Sequence, residues 1–162
     1  MNQSQSIPTT HACAADVDSL NSLLRGEIAA VDTYEQALRK FTDAENVPIV
    51  TALTRIRNEH SESVGLLRSR VSVSEGKPSE DAGPWGLFAG TVTAGAKMIG
   101  PVTALAALKQ GEMHGIDQYE KTLNNKEVST ECNYLISSDL LPRCRKHVTS
   151  LETLIAQCES KA

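Results

Sequence analysis

Two carboxylates and two imidazoles stand in this chain where helical stripes would otherwise carry leucine or isoleucine. The stretch "LLRGEIAAVDTYEQAL" places Glu27 among Leu20, Leu24, Val31 and Leu38 at spacings of three and four, with Tyr34 two turns further along the same face. The stretch "LKQGEMHGIDQYEKTL" repeats the arrangement with Glu112 among Leu105, Leu108, Ile116 and Leu123, followed by Tyr119. His60 interrupts the stripe Ile49, Leu53, Ile56, Leu67, and His147 interrupts Leu140, Cys144, Leu151, Leu154. A bare carboxylate inside a helix bundle costs on the order of several kcal/mol, so each Glu needs a cation. Two cations fit these residue types. One is an imidazolium, which makes the layer structural. The other is a metal ion, because carboxylate and imidazole ligands on facing helices are how bundles build iron and manganese sites.

The elements that must position these groups follow from the same stripes. Residues 1–15 are polar, rich in Ser, Gln and Thr, and are expected to form a disordered tail ahead of one domain over 16–162. A first helix starts near Asp16 or Asp18 and ends in "FTDAENVP". A second covers about 48–73, a third about 101–124 with Pro101 in its first turn, and a fourth about 131–158, where Pro142 predicts a kink or a break. Between the second and third lie the loop "SVSEGKPSEDAGP" and a short extra helix in "WGLFAGTVTAGAKMIG". Two antiparallel helical hairpins joined by one long crossover make an all-α, ferritin-like four-helix bundle.

The two hairpins also read as an internal repeat. Glu27 and Tyr34 fall on Glu112 and Tyr119 at an offset of 85, and His60 falls on His147 at an offset of 87. Counting back from the turns sets Glu27 level with about residue 61 of its partner helix and Glu112 level with about residue 145. All four groups are therefore expected in one layer of the bundle.

Composition narrows the function classes. The 162 residues carry 16 basic and 20 acidic side chains, a net charge of −4, which gives no footprint for nucleic acid or for an anionic membrane. Aromatic residues are only 4% against 40% hydrophobic, so the core is aliphatic. Residues 85–108 contain Lys97 as their one charge, but their Gly and Thr content and Pro101 point to a helix packed on protein and not to a membrane span. The four cysteines, Cys13, Cys132, Cys144 and Cys158, form no CxxC pair and read as reduced thiols of a cytoplasmic protein. The opening "MNQSQSIPTTHACAAD" has neither a basic start nor an apolar run, so no signal peptide is expected. A homo-oligomer fits this composition, and nothing in it names a protein partner.

The runs "GPWGLFAG", "AGAKMIG", "LKQGEMHGIDQYEKTL" and "LPRCRKHVTSLETL" resemble the ferritin-like family known as domain of unknown function 2383, over about residues 16–157. The Gly-Glu-x-His-Gly…Tyr-Glu run is fairly specific. The resemblance implies the bundle and no assigned activity. The wider ferritin-like group implies iron or another divalent metal, with redox, storage or stress-related chemistry, held by a Glu on two helices and Glu-x-x-His on the other two. Glu27, His60, Glu112 and His147 match the lone carboxylates and the imidazoles. Where the bridging carboxylates should stand, the chain has Arg57 and Cys144. Two cations about 3.5–4 Å apart need carboxylates there, so a single-ion site, or a degenerate site in which Arg57 neutralises the carboxylates, is expected instead. Glu59, about 100° round the helix from His60, leans in only partly, and Glu62 points away. Cys144, three residues before His147, is a further candidate ligand. His114 reads as a surface or helix-contact residue. The rival reading is a non-catalytic interaction protein whose Glu/His/Arg layer is a salt-bridged core.

Overall fold

The structure is a computed structural model that describes residues 14–41, 46–86 and 100–160. Four long helical runs make an all-α bundle. They are α1 (Ala14–Leu38), α2 (Val47–Val73), α3 (Gly100–Leu123), and a fourth run built from α4 (Thr130–Leu135), a wide turn at Ile136–Leu140, and α5 (Leu141–Glu159). One turn of 3₁₀ helix, Gly83–Trp85, follows the loop after α2. The rest of the expected crossover helix, residues 87–99, and residues 1–13 of the expected tail lie outside the described residues.

Side-chain pairs fix the direction of every neighbour. Glu27 meets His60 and Glu35 meets Arg57, so α1 and α2 run antiparallel. Lys109 meets Glu152 and Glu120 meets Arg145, which makes α3 and α5 antiparallel. Tyr34 reaches Glu112 and Tyr119 reaches Glu27, which does the same for α1 and α3. Arg55 reaches Ser150 and Glu62 reaches Arg143 across α2 and α5. The parallel helices α2 and α3 therefore occupy opposite corners. The link between them must travel the bundle's length, about 40 Å at 1.5 Å per residue.

Pro142 neither breaks nor ends the fourth run. It has no N–H to give the carbonyl four residues back, and its ring crowds that carbonyl. The chain widens just ahead of it, and the Leu141 N–H bonds to the Ile136 carbonyl, five residues back. The wide turn also keeps one face inward. Cys132, Ile136, Leu140 and Cys144 are four apart and all buried. Steps of four drift by about 40° each on a regular helix, and the extra residue in the wide turn takes up that drift.

The start of α1 differs from the expectation. The helix begins at Ala14, and Asp16 lies inside its first turn as a buried residue. The Asp16 carboxylate does not cap α1. It accepts the Ser129 N–H at 2.8 Å, while the Ser129 hydroxyl caps α4 at the Cys132 N–H. Asn21 plays a similar part for the loop after α2, donating to the Lys77 carbonyl at 3.0 Å and accepting from Ser79 N–H at 2.8 Å. That loop lies so close to α1 that a Cβ at Gly76 would stand 2.6 Å from a Val17 methyl. Replacing Asn21 with Ala strands two polar backbone groups at this contact. We expect a loss of about 1–3 kcal/mol, read as a lower urea midpoint with an unchanged slope.

Candidate functional site

The apolar core is in two parts. One cluster holds Leu20, Leu24, Leu67, Val71, Cys132, Ile136 and Leu140. The other holds Ile49, Leu53, Ile56, Leu105, Leu108, Leu151 and Leu154. Between them lie Glu27 on α1, His60 on α2, Glu112 on α3 and His147 on α5, all buried. Each helix continues its apolar stripe above and below the layer, so packing on both sides holds these polar side chains inside.

His60 sits at the centre. Its Nδ1 lies 2.8 Å from Glu27 Oε2 and its Nε2 lies 2.9 Å from Glu112 Oε1. An ionised carboxylate only accepts, so a ring flanked by two of them carries a proton on each nitrogen. The tyrosines close the layer crosswise. Tyr34 O–H donates to Glu112 Oε1 at 2.6 Å, and Tyr119 O–H donates to Glu27 Oε1. His147 sets Nδ1 3.2 Å from Glu112 Oε2 and Nε2 2.7 Å from Glu59 Oε2. Cys144 S–H donates to Glu112 Oε2 at 3.1 Å and to the Glu112 carbonyl at 3.3 Å. Glu59 is held from outside by Arg55 at 2.8 Å.

Burial alone would lower the His60 pKa. The charges of Glu112 and Glu27, with hydrogen bonds to both, outweigh it and raise it from 6.5 to about 10. Burial alone would raise Glu112, but the charge of His60 and the hydrogen bonds from His147 and His60 hold it well below the usual carboxylate range. Glu59 is lowered too, its partial burial being outweighed by hydrogen bonds from His147 and Arg55. Burial, then the nearby carboxylates, pushes Tyr34, Tyr119 and Cys144 upward, so all three keep their protons and donate.

The four residues singled out in sequence thus share one layer, but they are not equivalent. His60, Glu112 and His147 offer ligand atoms that all lie within 4.8 Å of one another. Glu27 stands behind His60, on its Nδ1 side. Of the two further candidates, Cys144 touches Glu112, and Glu59 reaches His147 across the α2–α5 contact. Arg57 corrects the expectation of a cation in the layer. Its guanidinium is about one-third exposed and turns to Glu35 and Asn58, because its long stem reaches solvent at no desolvation penalty. Glu62 points away, to Arg143. His114 lies with its ring 4.9 Å from that of Trp85.

The crosswise tyrosine bonds and Arg55 were not foreseen. The equal spacing of Glu27 to Tyr34 and Glu112 to Tyr119 was the available signal, since antiparallel helices with that spacing bring each Tyr to the other Glu. Between α1 and α3 a cavity of about 80 Å³ reaches the layer. Its walls include Gly26, Ala30, Ala107 and Gly111, and Glu27, His60, Glu112 and Cys144 also line it.

Fold and site define an antiparallel four-helix bundle with a buried Glu/His/Tyr layer. The chain belongs to the family described as Domain of unknown function (DUF2383), whose profile matches residues 15–125. No curated protein and no solved structure matches it. Among the described residues no helix is long and apolar enough to cross a membrane, and Cys132, Cys144 and Cys158 are free thiols.

The layer sets a pH window for stability without metal. His60 is raised, so its contribution is full below pH 6.5 and is lost as pH climbs toward about 10. Glu112 is lowered, so its contribution is full above its ordinary 4.5 and is lost in acid. The groups facing His60 are Glu27, Glu112, Tyr34 and His147. Chemical denaturation in the presence of chelator should show stability falling above pH 6.5, by at most about 1.4 kcal/mol per pH unit. His60→Gln should flatten that limb, and an unchanged slope in this variant would assign the pH dependence elsewhere.

Proposed function

We propose that this protein is a ferritin-like bundle that binds one divalent metal ion at its central layer. The observation that carries this reading is the His60–Glu112–His147 group. It comprises two imidazole nitrogens and a carboxylate from three helices, all buried and mutually within 4.8 Å. Such a donor set suits zinc, iron(II) and related ions. A bridged two-ion centre does not fit, because Arg57 turns to solvent and Cys144 stands at the second bridging position. Glu27 bonds the far nitrogen of His60 and so orients the ring and raises its basicity, the usual part of a carboxylate behind a metal-bound histidine. The two hairpins read as copies of one unit, each giving a Glu and a His. Redox or stress-related chemistry is the analogy with ferritin-like proteins, and free thiols agree with a reducing compartment such as the cytoplasm.

The test is elemental analysis of the purified protein, as isolated and after aerobic and anaerobic loading. The expected result is about one ion per chain. Glu112→Ala and His147→Ala should fall to background. Glu27→Gln should keep the stoichiometry and weaken binding about 10–100-fold. Background metal in the parent protein under both loadings would end this reading.

One observation favours a second reading, a structural layer in an interaction protein. Among the described residues, Asn133 Oδ1 is the one buried side-chain N or O atom without a hydrogen-bond partner, so the layer is satisfied by protons alone. Under this reading chelators and added metal leave the melting temperature unchanged. Glu112→Ala then lowers it by leaving His60 with one carboxylate, an effect of about 3–5 kcal/mol.

A further inference from the structure

Glu112 gathers more donors than any other group in the layer, and the kind of donor matters. Besides Tyr34, the atoms that face its two oxygens are His60 Nε2 at 2.9 Å, His147 Nδ1 at 3.2 Å and Cys144 Sγ at 3.1 Å. Each of these three is a metal ligand in its proton-free form. In a tetrahedral shell with bonds of 2.0–2.3 Å, neighbouring ligand atoms stand about 3.3–3.6 Å apart. The spacings of His147 and Cys144 to Oε2 fall short of that by only a few tenths of an ångström, while His60 faces the other oxygen, Oε1. Cys144 and His147 are three apart on α5, so sulfur and nitrogen leave the helix on the same side. The cavity between α1 and α3 touches Cys144, His60 and Glu112.

We propose that Cys144 is a fourth ligand of the ion held by His60, Glu112 and His147, giving a site of two nitrogens, one oxygen and one sulfur. This rests on the metal reading above. Thiolate favours borderline ions such as zinc or cobalt(II) over hard, oxygen-seeking ions such as manganese(II) or magnesium. The exchange balances without electron transfer. The Cys144 S–H, His60 Nε2–H and His147 Nδ1–H bonds break, one sulfur–metal and two nitrogen–metal bonds form beside the bond from the Glu112 carboxylate, and the three protons pass to water. It also separates this chain from two-ion bundles, since a thiolate from α5 stands where such a centre needs a carboxylate to span both ions.

Cobalt(II) is the probe. Loaded parent protein should show visible ligand-field bands together with a near-ultraviolet sulfur-to-cobalt charge-transfer band. Cys144→Ser should keep the bound cobalt and the visible bands and lose the sulfur band. A variant with Cys13, Cys132 and Cys158 all changed to Ser should keep it. In competition, Cys144→Ser should lose at least about tenfold in zinc affinity, no less than the loss of an outer-shell partner brings, with manganese affinity unchanged. Circular dichroism of each variant establishes that it is folded. Should Cys144→Ser fail that check, Cys144→Ala and the variant that keeps Cys144 alone carry the comparison. Cobalt bound without a sulfur band, or a sulfur band that survives loss of Cys144, overturns the proposal and leaves the metal site standing. No cobalt bound at all overturns both.

Discussion

The rest of the structure depends on one buried cation, His60, held between two carboxylates that reach it from different helices. Glu27 comes from α1 and Glu112 from α3, and His60 on α2 bonds both. A carboxylate packed in an aliphatic core needs such a partner. The contact is also directional. A slip of one residue in any of the three helices turns its side chain by about 100° and carries it out of the layer. The crosswise bonds from Tyr34 and Tyr119 tie α1 to α3 at the same level. Five side chains thus fix the relative height of three helices, a task that interchangeable leucines above and below perform less sharply.

The layer is lopsided in its hydrogen bonds. Among the described residues Glu27 accepts from Tyr119 and His60, both of which hold it in place. Glu112 accepts from Tyr34 and also faces two imidazole nitrogens and a thiol. The His60 and His147 rings stand edge to face, with centroids 4.7 Å apart. On the α5 side Glu59 takes the second nitrogen of His147 and is itself held by Arg55 at the surface. One half of the layer is therefore a clamp, and the other half is a cluster of donors gathered round one carboxylate.

The bundle and the level of the layer were legible in the sequence. Stripes with spacings of three and four name the helices, and the turn positions place Glu27 opposite His60 by counting alone. Which long side chains enter the layer was legible only in part: Glu59 was expected to lean in, and the direction of Arg57 was left open. Arg57 lies one turn before His60 and turns out to Glu35, whereas Glu59, a neighbour by sequence and some 100° away by helix geometry, reaches in to His147. Both outcomes depend on what the facing helix offers. Stripe periodicity does not carry that information. The same limit applies to Asp16 and Asn21, which look like surface or capping residues and in fact accept backbone N–H groups of distant loops. Pro142 signalled a disturbance correctly, but its form was beyond local reasoning. A wide turn satisfies both the missing N–H and the four-residue spacing of the buried side chains, and the second demand exists only once the helix is packed.

Charge also argues against a pair of ions in this layer. Two divalent cations bring four positive charges, which carboxylate bundles balance with four carboxylates. Within the layer the buried carboxylates are Glu27 and Glu112, with Glu59 at the rim already engaged by Arg55. Two cations would leave a large uncompensated positive charge in a medium that stabilises ions poorly. A single divalent ion is different. An ion bound there would displace imidazole protons as it entered, so the layer would gain little net charge. Two buried carboxylates thus match the charge of one divalent ion better than that of two.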